Sequence, residues 1–234
     1  SSKQMNEKSG GQIFFKCENF QKVGAFKFRG ASNAIFSLSE DEASKGVATH
    51  SSGNHAQAVA LAAKMKGIPA YIVMPENAPK VKVKAVKNYG AEVTFCESTL
   101  EARETTLDQV VERTGATFIH PYDDARIIAG QGTAALELLE DHPDLDVIIA
   151  PVGGGGLLSG TALAARSIKP DILVIGAEPK NADDAYRSFK AGELIPVQNP
   201  DTIADGLRTS LGKLPFSIIT EYVDDIVTVP EESI

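Results

Sequence analysis

Short apolar runs alternate with longer amphipathic stretches along most of this chain. Positions 47–49 read as a short strand, 54–66 as an alanine-rich helix stopped by Gly67, and 70–74 as a strand entered after Pro69. The pattern then predicts helix over 80–88, strand over 92–96, helix over 100–113 and strand over 117–119. It continues with helix over 133–140, strand over 146–152, helix over 157–168 and strands over 172–177 and 226–229. Repeated strand–helix–strand units with short connections imply an α/β fold, two parallel sheets covered by helices on both faces. No Pro- or Ser-rich linker marks a boundary. The self-contained group over 46–123 is expected to be a small domain inserted into a large one made of 1–45 and 124–234.

Composition narrows the function classes. The chain has 234 residues, 43% of them hydrophobic and 23% charged, with a net charge of −8. That acidity argues against nucleic acid or an anionic membrane as partner, since both need clustered positive charge. No apolar run reaches the ~18 residues of a membrane span. Cys17 and Cys96 are too few for a disulfide framework and too isolated for zinc, so a reducing cytoplasm is expected. The chain starts Ser1-Ser2-Lys3 without an initiator methionine and stops in an acidic segment after a strand, so a segment of something longer is expected.

Three segments carry candidate chemistry. Gly153-Gly154-Gly155-Gly156 lies between an apolar run and a helix start at Leu157, an order that builds an anion site from backbone N–H groups and the helix dipole. It lacks the spacing of a dinucleotide loop or a P-loop, so a smaller phosphate is implied. Lys27 stands between Phe26 and Phe28 in a stretch poor in carboxylates, where its charged form is disfavoured and its amine becomes a better nucleophile. Alone, it reads more simply as one of 23 basic residues pointing at water. Thr49-His50-Ser51-Ser52-Gly53-Asn54-His55 is a polar turn that could hold a carboxylate at a helix N-terminus, or simply supply an N-cap. A fourth segment, 176–184, places several oxygen ligands after a strand. Its spacing is even between a hard-cation site and an acidic helix start.

Together, 18–31, 51–55 and 153–156 resemble the lysine, substrate-carboxylate and phosphate segments of the serine/threonine dehydratase family of fold-type II pyridoxal-phosphate enzymes. The resemblance runs from Phe14 to Ile234. It is nearest to the serine-racemising members of eukaryotic type, because threonine dehydratases usually carry alanine where this chain has Ser52. It implies two open parallel-sheet domains with pyridoxal 5'-phosphate between them. Lys27 would hold the cofactor as a Schiff base beside Phe26, Asn54 would meet its phenolic oxygen, and Gly153, Gly154, Gly155, Gly156 and Leu157 its phosphate. Gly206 would lie near the ring. Ser51, Ser52, Asn54 and His55 would line the carboxylate site of a small hydroxy-amino acid. Glu178, the carbonyl of Ala182 and Asp184 would hold Mg, Ca or Mn.

The activity so implied interconverts L- and D-serine, with Lys27 and Ser52 as acid/base groups on opposite faces, and eliminates water from serine to give pyruvate and ammonia. The runner-up is a dehydratase of L-serine, L-threonine or 3-hydroxyaspartate. A non-catalytic regulatory module and a dinucleotide oxidoreductase are weaker, the first because Lys27, Asn54 and the glycine run occur together. The resemblance further implies a homodimer and ATP as effector, with Gln57 and Tyr89 near the effector site. A partner for the pyridine nitrogen is expected from sequence beyond Ile234. His50, His120 and His142 share no metal spacing, and Arg103 reads as a solvated charge or a functional one near the site's mouth.

Overall fold

The chain is described by a computed structural model covering residues 1–51 and 53–234; the expected roles of Ser52 therefore lie outside the described residues. The order of elements begins α1 (Lys3–Ser9), α2 (Lys27–Phe36), α3 (Glu40–Lys45), β1 (Val47–His50), α4 (Asn54–Lys66), β2 (Ala70–Pro75) and α5 (Lys80–Asn88). It continues β3 (Glu92–Cys96), α6 (Leu100–Thr114), β4 (Thr117–Phe118), α7 (Ala125–Asp141), β5 (Val147–Pro151) and α8 (Gly156–Ile168). It closes with β6 (Leu173–Pro179), α9 (Asp184–Ala191), α10 (Lys213–Tyr222) and β7 (Asp225–Val229). The strands form two wholly parallel sheets, ordered β3-β2-β1-β4 and β5-β6-β7.

The first sheet is buried on both faces. Ile72 and Met74 of β2 pack with Val59 and Ala63 of α4, Val86 of α5, and Phe28 and Ile35 of α2. Ala48, Val73 and Cys96 turn the other way, onto Leu107 and Val110 of α6. The second sheet differs from the expectation. Ile148, Ala150, Val174 and Ile226 pack on α8 and α10, but Ile149 on the opposite face is 64% exposed, and Val147, Leu173 and Val227 are exposed with it. Among the described residues, helices cover that sheet on one side only.

One helix was shortened by sequence reasoning. The pattern starts it at 133, whereas α7 begins at Ala125, with Asp124 accepting the N–H of Arg126 at 2.7 Å as its cap. Gly130 and Gly132 lower helix propensity and hid the first two turns. Packing outweighs that cost. A Cβ on Gly130 would meet Gly30 Cα at 2.5 Å, and one on Gly132 would meet the Gly160 carbonyl oxygen at 2.7 Å. Helices α2, α7 and α8 therefore cross with their backbones nearly touching. Helix α2 also packs on α4, so it lies between the two sheets' cores.

A Cβ on Gly160 would land on the Ile128 carbonyl oxygen and the Gly132 amide, both rigid backbone. We expect Gly160→Ala to destabilise the chain by about 1–3 kcal/mol. In a thermal melt this lowers Tm by roughly 3–10 °C.

Candidate active site

A cleft of about 510 Å³ opens between the carboxyl ends of β1 and β5, where open α/β sheets bind their ligands. It is lined by Phe26, Lys27, Ser51, Asn54, His55, the whole run Gly153 to Leu157, and Gly206. A more open depression of about 390 Å³ on α5, between Lys84, Lys87 and Phe95, holds none of the expected site residues that the structure describes.

The glycine run turns β5 into α8. Val152 donates to Ala177 at 2.9 Å and ends the ladder; Gly155 then takes φ +90° as the N-cap of α8, a conformation that favours glycine. A Cβ on Gly154 would strike the ring of Tyr122. No acceptor among the described residues takes the N–H groups of Gly153 to Leu157. Five backbone donors and the positive end of α8 thus face the cleft.

Lys27 is the first residue of α2, with Phe26 as its N-cap. Its Nζ donates to the Pro121 carbonyl at 2.8 Å and stands 5.3 Å from the Phe26 ring centroid and 6.0 Å from that of Tyr122. Among the described residues no carboxylate pairs with it. Burial lowers its pKa from 10.5 to about 8, and the positive end of α2 acts in the same direction.

Across the cleft, Gly53 is the N-cap of α4 and supplies no side-chain bond. The plain-cap alternative is therefore not realised by Ser51 or Asn54. Ser51 Oγ instead accepts the Gly53 N–H at 3.2 Å, and Asn54 stands exposed to the cleft. His55 is buried and its Nε2 bonds the Ile119 carbonyl at 3.0 Å, so that nitrogen is committed within the fold. Its Nδ1 has no partner among the described residues. Burial, then the charge of Lys27, hold His55 to about 3, so the ring is neutral.

Glu178 at the end of β6 and Asp184 at the start of α9 are 1% and 0% exposed. Glu178 accepts the N–H groups of Ala185 (3.2 Å) and Tyr186 (2.9 Å); Asp184 Oδ2 accepts that of Leu211 (2.8 Å). Asp184 Oδ1 is buried without a partner among the described residues. Burial drives both carboxyls up, Glu178 to about 8 and Asp184 to about 6; the charge of Asp184 adds to the shift at Glu178. Ala182 lies buried in the turn between them. Among the described residues no three His, Cys, Asp or Glu side chains converge on a metal position. A cation here would therefore complete its shell with carbonyls and water, as Mg²⁺ and Ca²⁺ do.

Sequence reasoning missed several lining residues. The segment 119–123 carries the Pro121 carbonyl and the Tyr122 ring, and no periodicity announces it. Lys82 of α5 pairs with Asp205 at 3.1 Å, beside Gly206, joining the two sides of the cleft. Arg103, which the sequence left open between a solvated and a functional charge, lines the cleft, and among the described residues the one hydrogen bond of its side chain is to the Thr99 carbonyl at 3.2 Å. Gln57 and Tyr89 are not among the lining residues.

Comparison with known proteins decides the family. The family model for pyridoxal-phosphate dependent enzymes matches residues 1–234. The chain belongs to that family. It is 56% identical to a serine racemase of Arabidopsis thaliana over 231 residues, 99% of this chain and 70% of that protein. It is 51% identical to an L-threo-3-hydroxyaspartate ammonia-lyase of Saccharomyces cerevisiae, over 100% of this chain and 72% of that one. The structure of maize serine racemase superposes with a TM-score of 0.98 at 52% identity, covering 100% of this chain and 71% of that one. The chain thus spans about 70% of the length of such relatives.

The site fits the family's cofactor: a carbonyl-reactive amine of lowered pKa faces the same cleft as an array of unclaimed N–H donors suited to a phosphate. We expect reductive methylation of Lys27, followed by mass spectrometry, to titrate with a midpoint near pH 8.

Proposed function

We propose that this chain interconverts L- and D-serine and eliminates water from serine to give pyruvate and ammonia. The observation that carries the reading is the pairing of the Lys27 amine with the unclaimed N–H array of 153–157 in one cleft. Bound there, pyridoxal phosphate supplies the electron sink that acidifies the Cα–H bond of an attached amino acid.

The residues then divide the work. Lys27 carries the cofactor and, when released, takes the Cα proton at Nζ; a pKa near the working pH lets the same amine accept and return it. The donors of Gly153 to Leu157 anchor the phosphate, Phe26 and Gly206 bound the ring, and Asn54 reaches its phenolic oxygen. Ser51, Asn54 and the open N-terminus of α4 hold the substrate carboxylate beside His55. Ser52, whose placement is outside the described residues, is the proposed acid on the second face, which racemisation needs and elimination does not. The unit over 46–123 closes on that formed by 1–45 and 124–234, with Lys82 and Asp205 at the seam. The reading includes a homodimer, ATP as effector and a cytoplasmic setting. No helix among the described residues is long and apolar enough to cross a membrane.

Arg103 favours a second reading. A guanidinium in the cleft without a carboxylate partner among the described residues suits a substrate with a second carboxylate, as 3-hydroxyaspartate has. Turnover of L-serine and of L-threo-3-hydroxyaspartate, compared side by side, separates the two. Faster ammonia release from the second, with little D-serine formed from the first, gives the dehydratase.

Pyridoxal phosphate added to the chain should give a yellow product that Lys27→Ala does not form. Ser52→Ala should lower serine racemisation by about 100-fold or more and leave elimination within about tenfold. Racemisation that survives the substitution assigns the second face to another group.

A divalent cation at Glu178, the Ala182 carbonyl and Asp184 completes the proposal. Raised carboxyl pKa values mean that the cation-free fold holds protons which the unfolded chain releases. The contribution of these groups to stability is thus full below about pH 4 and falls as pH rises toward 8. We expect Mg²⁺ or Ca²⁺ to raise Tm by about 5–10 °C at saturation. The gain should be larger near pH 8 than near pH 6, and Glu178→Gln should abolish it, as read by melts with and without EDTA.

A further inference from the structure

Lys27 reaches one hydrogen-bond acceptor among the described residues, the carbonyl of Pro121, and that carbonyl sits in a turn with an unusual closure. Pro121 has no N–H, so the turn must satisfy the amides of Tyr122 and Asp123 instead. Both donate to the same atom, His120 Nδ1, at 3.2 and 2.8 Å. An imidazole here does what an Asn or Asp side chain does when it caps its own backbone two and three residues on. With Nδ1 accepting twice, the proton of the neutral ring resides on Nε2. The ring is wedged edge-on between Phe118 (5.5 Å) and Tyr122 (4.7 Å), which leaves it little freedom to rotate. The same closure orients Asp123 to accept the first N–H groups of α10, from Lys213 (3.1 Å) and Leu214 (2.9 Å). It also lays Tyr122 against Gly154 of the glycine run.

We propose that His120 is a positioning residue for Lys27: its Nδ1 closes the turn 120–123, and the closed turn aims the Pro121 carbonyl at Lys27 Nζ. The inference rests on the reading that Lys27 is the cofactor lysine. Loss of the closure leaves the amine without its acceptor and frees the ring of Tyr122 from the glycine run.

The test compares His120→Asn, whose Oδ1 can accept the same two N–H groups, with His120→Leu, which cannot. Two quantities are read on the full chain without cofactor. One is the NMR titration of the Lys27 Cε resonance, assigned by its loss in Lys27→Ala; the other is the rate at which added pyridoxal phosphate attaches. His120→Leu should displace the Lys27 midpoint and slow attachment by about 10- to 100-fold, with His120→Asn within about threefold of the parent. A cooperatively melting Leu variant with both quantities unchanged overturns the proposal. So does an Asn variant that melts like the parent yet is slowed as far as Leu. If the Leu variant does not fold, the Asn variant decides alone: near-parental values support the role, and a large loss refutes it. Attachment that persists in Lys27→Ala overturns the cofactor reading instead, and the NMR comparison still judges the turn.

Discussion

The backbone of 119–123 is divided between the two sides of the cleft, and the site depends on that division. The Ile119 carbonyl takes Thr49 Oγ1 at 2.9 Å and His55 Nε2 at 3.0 Å, fixing the end of β1 and the start of α4. Two residues on, Pro121 holds Lys27; two further, Asp123 caps α10 beside the glycine run. Five consecutive residues thus join both sides of the cleft, so a small shift in this segment displaces Lys27, the start of α4 and the start of α10 together.

Desolvation sets the charge states. It lowers Lys27 and raises Glu178 and Asp184, moving groups of opposite sign toward the same pH range. The amine becomes reactive, and the buried carboxyls hold their protons to higher pH than exposed ones would. Behind the amine, Arg29 shows the opposite regime. Its guanidinium bonds Glu18 at 2.7 and 2.9 Å and Glu137 at 2.7 Å, and its hydrogen bonds draw Glu137 down to about 2. Two residues after Lys27, this network ties the first turn of α2 to α7, which makes the amine's carrier rigid.

Relatives named as racemase and as ammonia-lyase are similarly close to this chain, at 56% and 51% identity. The shared parts, an amine and a phosphate cradle, serve any reaction that begins by loosening Cα–H. On the reading proposed above, the outcome turns on few groups, among them the hydroxyl at 52 and the charge at 103. A scaffold this general explains why fold and cofactor can be stated from the family while the balance of reactions is a property of individual side chains.

The segments singled out in contiguous residues were legible from the sequence as segments. The Gly153–Gly156 run, the polar residues Ser51, Asn54 and His55, and Lys27 between two phenylalanines stand out locally, and the cleft brings these together. Helix α4 was legible end to end because alanines fill it and Gly67 stops it at φ +76°. Tertiary structure decided what depends on distant partners. The first two turns of α7 exist because glycines on three helices meet, against local propensity. Lys27 and Pro121 are 94 positions apart, and Lys82 and Asp205 are 123 apart. Local sequence fixes what a residue can do; only the folded chain fixes which backbone carbonyl or charge it faces, because those partners are set by packing across the whole molecule.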